Sequence, residues 1–541
     1  TLSPNILSAM TARVPGLNIF QKNGFRKPMM DEISSNYPVG RMADITKGNY
    51  NDNNGQYTYT LRGATTPVVI VDGFEVEMLN LDVESIESIS LQKDALSSMF
   101  LGGSSSRGVM YVTTKKPVAE SFKLSFTGRY GLQEPIKTPK ALSPATYANL
   151  LNEALINDGK SPIYSAYAVD MFRTGGSPYA YPTVDWYDEV LKDNAAVQSY
   201  NLNATGGGRT AQYFVNLGYL SEDGIVKNAK ESYDTSPKYE RYLITSKVNV
   251  NVMPGLKMSA TVVGRIEDER TSGVGTNDIL FEAYRLPSIA YPVTNPNGTY
   301  GGSKSSYDEK NLKSNVMSSG YKLAKNREGW GNVKLEHDMS WITEGLSARL
   351  LGSVSSHSRS AIDRSKQEAI YYYIPGVGSY EQIKAYTPQK NNFLGVYNQQ
   401  QMYGQFGFDY SRTFANYHTF GGTLSIDYKD IMDNYKLPND KANIYFEAKY
   451  DYKKRYFAQA AINRSYHNAY APGRRWGTFY AFGLGWDITK EDFMSDVDWV
   501  NKLKLRGTYG ETGNTLGADK YFIWRQSYKG DMTGYPEGDD Y

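Results

Sequence analysis

Residues 61–116 read LRGATTPVVIVDGFEVEMLNLDVESIESISLQKDALSSMFLGGSSSRGVMYVTTKK, and the fold is decided there. Pro67 opens the apolar run Val68-Val69-Ile70-Val71, which stops at Asp72-Gly73. That is the pattern of a buried strand closed by a tight turn. Apolar residues continue at Val83, Ile86 and Ile89 as far as Leu91. Asp94 to Phe100 (DALSSMF) predicts a short helix, ended by Gly102-Gly103, and Val109 to Thr114 predicts a second buried strand. Strand, turn, short elements and strand, with glycines at the corners, make a small compact α+β unit.

The chain after this unit is different in kind. Phe122, Leu124, Phe126, Gly128 and Tyr130 fall on one face of an extended segment, and Lys123, Ser125, Thr127 and Arg129 on the other. This period of two is that of a strand between an apolar and a wet environment. It recurs at Tyr213–Tyr219, Leu256–Val262, Phe406–Tyr410, Phe446–Tyr450 and Leu503–Tyr509. A soluble sandwich alternates in the same way, so no single strand separates the two folds. The connections do. Short joints at 206–209, 253–255, 343–345, 415–417 and 452–454 alternate with long ones at 134–198, 221–239, 270–328, 360–398 and 431–441. A barrel with tight turns at one rim and long loops at the other sorts its connections in this way, whereas a sandwich has no cause to. About thirteen strands precede Gly513, and single-chain bacterial barrels carry even numbers with no open edge. The sequence is therefore expected to be a fragment, lacking further strands and the residues upstream of Thr1.

Four segments in order, LRG, PVVIVDGF, VESIESISLQKDA and RGVMYVTTKK, resemble the plug signature of TonB-dependent outer-membrane transporters, and more narrowly the SusC/RagA-like branch of the Bacteroidetes. ALSPATYANLLNEALINDG, VDWYDEVLKDNAAVQSYNLNATGG, GYLSEDGIVKN, KRYFAQAAINRS, RRWGTFYAFGLGWDITKEDFM and VNKLKLRGTYGETGN extend the resemblance over nearly the whole chain. It implies an all-β transmembrane β-barrel of 22 strands in the family, with an N-terminal α+β plug in its lumen. Residues 1–117 would be the plug domain and 118–541 the N-terminal part of the barrel. Arg62, Gly63, Pro67, Asp72, Gly73, Lys93, Asp94, Arg107 and Gly108 carry the plug signature. The implied function is energised import of an oligosaccharide or peptide across the outer membrane of a Gram-negative bacterium. The implied partners are a SusD-like surface lipoprotein, the TonB-ExbB-ExbD motor, membrane lipid, and a second SusC-like barrel or a larger complex. A scaffold subunit of an assembly or secretion machine is the second reading, and a siderophore or metal-chelate receptor the third. Two departures bear on the choice: Ser104 stands where the family corner has arginine, and Asn463 to His467 replace a D-G-S-S-x-F stretch.

Composition agrees with a barrel. The 541 residues carry 46 tyrosines and a net charge of only +2, which gives no cause to expect nucleic acid as a partner. Mean hydropathy is -0.53, and no apolar run is long enough for a membrane helix. There are no cysteines, which removes thiol catalysis and zinc-thiolate sites. His337, His357, His418 and His467 lack metal-ligand spacing, and no hydrolase or phosphate-loop motif is present, so neither an enzyme nor a cofactor is expected. Asn49 to Gly55 (NYNDNNG) lacks the offsets of a calcium loop and reads as a turn cluster.

Two further expectations concern side chains. Charges of an enclosed plug must be paired or hydrated, so Arg62, Asp72, Lys93, Asp94 and Arg107 are candidates to bond to the barrel wall, with lumen water as the alternative partner. Tyr179, Tyr181, Trp186 and Tyr187 in the first long connection are candidates for ligand stacking, rim packing or docking of the lid. Ser143-Pro144 starts a helix there with Tyr147, Leu150, Leu151, Ala154 and Leu155 on its apolar face, and Asn157-Asp158-Gly159 stops it.

Overall fold

A computed structural model describes residues 6–21, 57–63, 66–76, 81–227, 236–304, 310–434, 436–495, 497, 499–515 and 524–525. The turn cluster at 49–55 lies outside the described residues.

The N-terminal elements are short. Helix α1 (Ile6–Met10) precedes β1 (Leu17–Gln21), which pairs antiparallel with β2 (Tyr57–Leu61). Four more strands, β3 (Val68–Val71), β4 (Phe74–Val76), β5 (Ile86–Gln92) and β6 (Val109–Thr114), form a sheet in the order β4-β3-β6-β5. The two runs singled out in the sequence, β3 and β6, lie side by side and parallel at its centre. All four residues of β3 are buried, as two-sided burial requires of so apolar a strand. Helix α2 (Ala95–Ser98) is capped by the Asp94 carboxylate on the Ser97 amide at 3.0 Å. It does not end at the glycine pair as expected. A 3-10 path continues to Arg107, kinked at Gly102.

Most of the remaining described residues form one antiparallel meander of thirteen strands, the number expected. Its strands are β7 (Lys123–Gln133), β8 (Ala195–Gly207), β9 (Ala211–Asp223), β10 (Lys238–Met253), β11 (Leu256–Ser272), β13 (Gly320–Asp338), β14 (Leu346–Ser365), β17 (Asn392–Phe414), β18 (His418–Asp433), β19 (Asn439–Tyr452), β20 (Tyr456–His467), β21 (Trp476–Asp487) and β22 (Lys504–Glu511). Laid flat, thirteen strands at about 4.8 Å spacing would be nearly 58 Å wide. Yet the small N-terminal unit touches both edges, through Glu84 on Arg129 of β7 and Ser106 on Gly513 just past β22. The sheet therefore curls around that unit as a wall. Its two edge strands are not bonded to one another, and hydrocarbon tolerates no open edge, so membrane insertion needs both edges partnered.

The wall is inverted relative to a soluble sheet. Ile244, Val262, Val354, Phe406, Ile426, Phe446 and Phe482 point outward and are exposed. Arg241, Lys247, Glu267, Gln401, Lys429 and Asn463 point inward and are buried. Apolar out and polar in is the pattern of a strand between lipid and lumen. No helix among the described residues is long and apolar enough to cross a membrane.

The long connections share one rim and carry structure of their own. Between β7 and β8 lie α3 (Pro144–Asn157), α4 (Ala166–Thr174) and α5 (Trp186–Val190). Between β11 and β13 lie α6 (Thr276–Arg285), β12 (Tyr300–Gly301) and α7 (Leu312–Met317), and β12 joins β15 (Ile370–Ile374) and β16 (Ser379–Lys384) in a small sheet. Ser143 caps α3 and Pro144 opens it, as expected. Its packing face is shifted from the expected one: Ala148 is buried against Phe172 and Ile289 with Tyr147 packed beside it, Leu151 and Leu155 are half-buried, and Leu150 is exposed. Two connections also depart from strict alternation. The connection expected to be long at 431–441 is short, because β18 and β19 extend their pairing to Ile431 and Asn439. The segment 488–503, on the tight-turn rim, holds two 3-10 turns.

Candidate functional site

The candidate site is the seat of the N-terminal unit in the wall, and it begins at one turn. Asp72 has φ 51 and Gly73 φ 97, the pair of positive values that a tight hairpin turn demands and that Asp-Gly supplies. The turn folds the Asp72 carboxylate back on β6. Oδ1 accepts the Thr114 amide at 3.0 Å and Oδ2 the Thr114 hydroxyl at 2.6 Å. With the carboxylate held this way, Lys247 of β10 donates to Oδ2 at 2.6 Å. Lys247 is only 8% exposed at its side chain, so this ion pair is largely out of water.

The next hairpin position makes a second anchor. Glu75 of β4 pairs with Lys429 of β18 at 3.1 Å, and its carbonyl accepts from the Gln401 amide at 3.4 Å. Phe74 meets the edge of Tyr403 at 6.4 Å. Burial pushes the Glu75 carboxyl up, but Lys429, Lys441 and Arg107 outweigh it and leave the pKa below the usual carboxylate value. A depressed folded value means the contribution is complete above the unfolded pKa, about 4.3, and disappears as pH falls through the lower seated value. Hydrogen exchange of the 66–76 amides is therefore expected to be flat in relative protection from pH 8 to about 5, once intrinsic rates are removed, and to lose protection below about pH 4.

The third anchor is the glycine corner. Asn463 of β20 donates to the Met99 and Phe100 carbonyls at 3.0 and 3.1 Å. Ser465 Oγ accepts the Gly103 amide at 2.9 Å. From beyond β22, the Gly513 carbonyl accepts the Ser106 amide at 3.0 Å, the Gly513 amide reaches Ser105 Oγ at 2.9 Å, and Thr515 Oγ1 lies 3.2 Å from Ser104 Oγ. Glu84 on Arg129 of β7 adds a fourth contact.

Apolar packing joins these polar anchors at two places. Leu243, Val263 and Trp330 of the wall close over Val69, Val71, Met110 and Val112. Leu96 and Met99 sit against Tyr445, Ala461 and Ala481. Between the seats, Phe74, Glu75 and Val76 face Glu328, His357 and Gln401 across a cavity of about 40 Å3, large enough for water. Behind it Arg265 pairs with Glu328 at 2.9 Å and Glu267 at 3.4 Å, and Asn326 bonds both Glu267, at 2.8 Å, and His357, at 2.6 Å. The wall around this cavity is thus polar.

Of the signature charges, Asp72 makes the wall contact just described. Lys93 donates to the Pro15 carbonyl, Asp94 caps α2, and Arg107 Nε donates to the Thr66 carbonyl at 3.0 Å, all within the N-terminal unit. Arg62 and Gly63, with φ 53 and 76, form the turn after β2. Pro67 leads into β3, and Gly108, with φ 70, turns the chain into β6. The aromatic candidates are not gathered in one place. Trp186 is 2% exposed and packs 4.8 Å from Tyr291, its indole donating to the Pro287 carbonyl at 3.0 Å. Tyr187 borders the same core. Tyr181 meets Phe172 edge-on at 5.5 Å, and Tyr179, which is exposed, meets Tyr373 at 6.2 Å. Sequence reasoning missed Lys247, Lys429, Glu75, Asn463 and Ser465. For the last two a signal existed, since the 463–467 stretch stood out as different from the family.

No family model matches the chain. It is 24% identical over 512 residues to the TonB-dependent receptor P39 of Formosa agariphila, covering 88% of this chain and 46% of that protein. It is 22% identical over 526 residues to the TonB-dependent receptor SusC of Bacteroides thetaiotaomicron, covering 89% of this chain and 50% of that one. The chain thus spans about half the length of the curated relatives it matches. Its fold matches the RagAB peptide importer in the closed-closed state with TM-score 0.69 at 15% identity, over 95% of this chain and 59% of that one. The open-open state gives TM-score 0.68 at the same identity, over 97% and 59%. The relatives bear out the sequence resemblance and the solved structures bear out the fold.

Proposed function

We propose that this SusC/RagA-like chain is the plug and part of the barrel wall of a TonB-dependent importer in the outer membrane of a Gram-negative bacterium. Residues 1–117 are the plug domain and 118–541 belong to the barrel. The observation that carries this reading is the seat. A unit with its own sheet and core is held inside an apolar-out, polar-in wall through Asp72–Lys247, Glu75–Lys429 and the Gly102–Gly103 corner. Polar anchors beside a cavity with room for water suit a stopper that must leave its place and return. The TonB-ExbB-ExbD motor supplies the pull from the tight-turn rim. A SusD-like lipoprotein closes over the rim that carries the long connections, where Trp186, Ile279, Leu286, Tyr291 and Leu312 build a core firm enough to dock against. Exposed Tyr179 belongs to that docking surface. The ligand is a large polar molecule, an oligosaccharide or a peptide, and the chain performs no chemistry on it.

A scaffold role is the second reading, and one feature favours it. Ser104 replaces the family arginine, and the corner is tied to Gly513 and Thr515 as well as to β20, which holds the plug from two sides. Gentle detergent purification of the full-length protein from native outer membranes, with mass spectrometry of what accompanies it, separates the two. Import predicts one SusD-like lipoprotein in fixed ratio together with a bound glycan or peptide. Assembly or secretion factors in fixed ratio, with no ligand, would overturn import in favour of the scaffold.

A further inference from the structure

We infer that a cavity between the plug corner and the loop ends of β19, β20 and β21 is a seat for a carboxylate group of the transported ligand. The inference rests on the importer reading and adds the charge of the ligand to it. The cavity holds about 180 Å3 and is bordered on the plug side by Gly103 and Ser104. Lys441, Arg474 and Arg475 line it, and none of its described lining residues is acidic. Three cations gathered on one cavity do not follow from general composition, since the chain as a whole carries only +2. Arg475 donates Nε to the Tyr470 carbonyl at 3.1 Å and Nη1 to the Tyr466 hydroxyl at 3.2 Å. Both acceptors are neutral, so they orient the guanidinium without cancelling its charge.

His467 supplies an independent sign of a ligand. It lines the cavity and is 4% exposed. Its Nδ1 accepts the Ala469 amide at 3.1 Å. A ring nitrogen that accepts carries no proton, so the imidazole is neutral with its proton on Nε2. That Nε2 donor has no hydrogen-bond partner among the described residues. A buried donor left unmade costs about 1–3 kcal/mol, and a carboxylate oxygen beside Lys441 and Arg474 is the acceptor this environment favours. Uronic-acid sugars and acidic peptides both bring such a group.

Calorimetric binding to the detergent-solubilised full-length protein tests the seat with three probes: hexagalacturonate, a hexaglutamate peptide and neutral maltohexaose. At least one acidic probe is expected to bind about tenfold or more tightly than maltohexaose, as charge-assisted contacts warrant, and which one binds identifies the source of the carboxylate. The Lys441→Gln/Arg474→Gln variant is expected to lose that advantage. His467→Phe is expected to lose part of it, with His467→Gln, which retains a donor, closer to the wild type. An unchanged thermal transition shows that each variant is folded. The seat is refuted if neither acidic probe outbinds maltohexaose, or if the double variant binds the acids as the wild type does. Failure of the importer reading is read separately, from the proteins that co-purify.

Discussion

Gly102→Ala is expected to unseat the plug while leaving the wall intact. A Cβ at this position would lie 1.7 Å from Ser465 Oγ, 2.5 Å from Asn443 Oδ1 and 2.6 Å from Asn463 Oδ1. None of these atoms is free to retreat. Ser465 Oγ lies 2.7 Å from Asn443 Oδ1 and 2.9 Å from Asn463 Oδ1, and the Asn463 amide group holds the Met99 and Phe100 carbonyls. The backbone adds its own objection, since φ 51 with ψ -112 is a conformation that side chains rarely adopt. Overpacking at about 1–3 kcal/mol and strain of similar size put the cost at roughly 3 kcal/mol or more. Hydrogen exchange should show β3 and β6 losing protection while β10 to β14 keep theirs. Gly159→Ala is the control, because Gly159 also has positive φ, 72, but open space around it. Equal and small effects at the two positions would show that the corner is not pressed against the wall.

Lys247→Met is expected to have the other large effect. Methionine keeps most of the length of the side chain and removes the charge. Asp72 then retains its two bonds to Thr114 but faces the wall unpaired. Removing one partner of a buried pair costs about 3–5 kcal/mol, and the partial hydration of Asp72 places this case near the lower end. Adding Asp72→Asn should recover about half or more of the loss, because the neutral amide needs no counter-charge and can still accept the Thr114 amide. A wild-type exchange profile for the Lys247→Met plug would mean that lumen water already satisfies Asp72 and that the ion pair does not hold the plug.

Much of this architecture was legible in the residues. Alternation and turn chemistry yielded thirteen wall strands, and β3, its Asp72-Gly73 turn and β6 were read at their observed places. The reason is that period two and Asp-Gly turns are local properties. Partners across the lumen are not local. Asp72 is recognisable as a charge needing compensation, but Lys247 lies 175 positions away, and inward parity alone does not single it out from other inward cations such as Arg241 and Lys429. The packed face of α3 is shifted from the expected stripe for a related reason. An amphipathic pattern defines a stripe, and the partner decides which edge of it is used. Here the close approach of Phe172 and Ile289 selects small Ala148 and leaves Leu150 outside. Trp186 looks from sequence like a rim or ligand aromatic, yet it anchors the core that joins three connections.

The central claim is that the plug is a separately releasable body within the wall. A disulfide across the corner tests it most directly. Gly103 and Ser465 would place their Cβ atoms 3.9 Å apart, within the range a disulfide spans. These 541 residues contain no cysteine, so within them Gly103→Cys/Ser465→Cys forms one defined link, and any cysteine elsewhere in the full-length protein is first replaced by serine. Planar-bilayer conductance is then followed as urea is raised. The account predicts that the reduced protein opens reversibly to small ions while the oxidised protein stays closed, and that reductant restores opening. Equal opening in both states would contradict it, as would a reduced protein that stays closed until the whole wall unfolds.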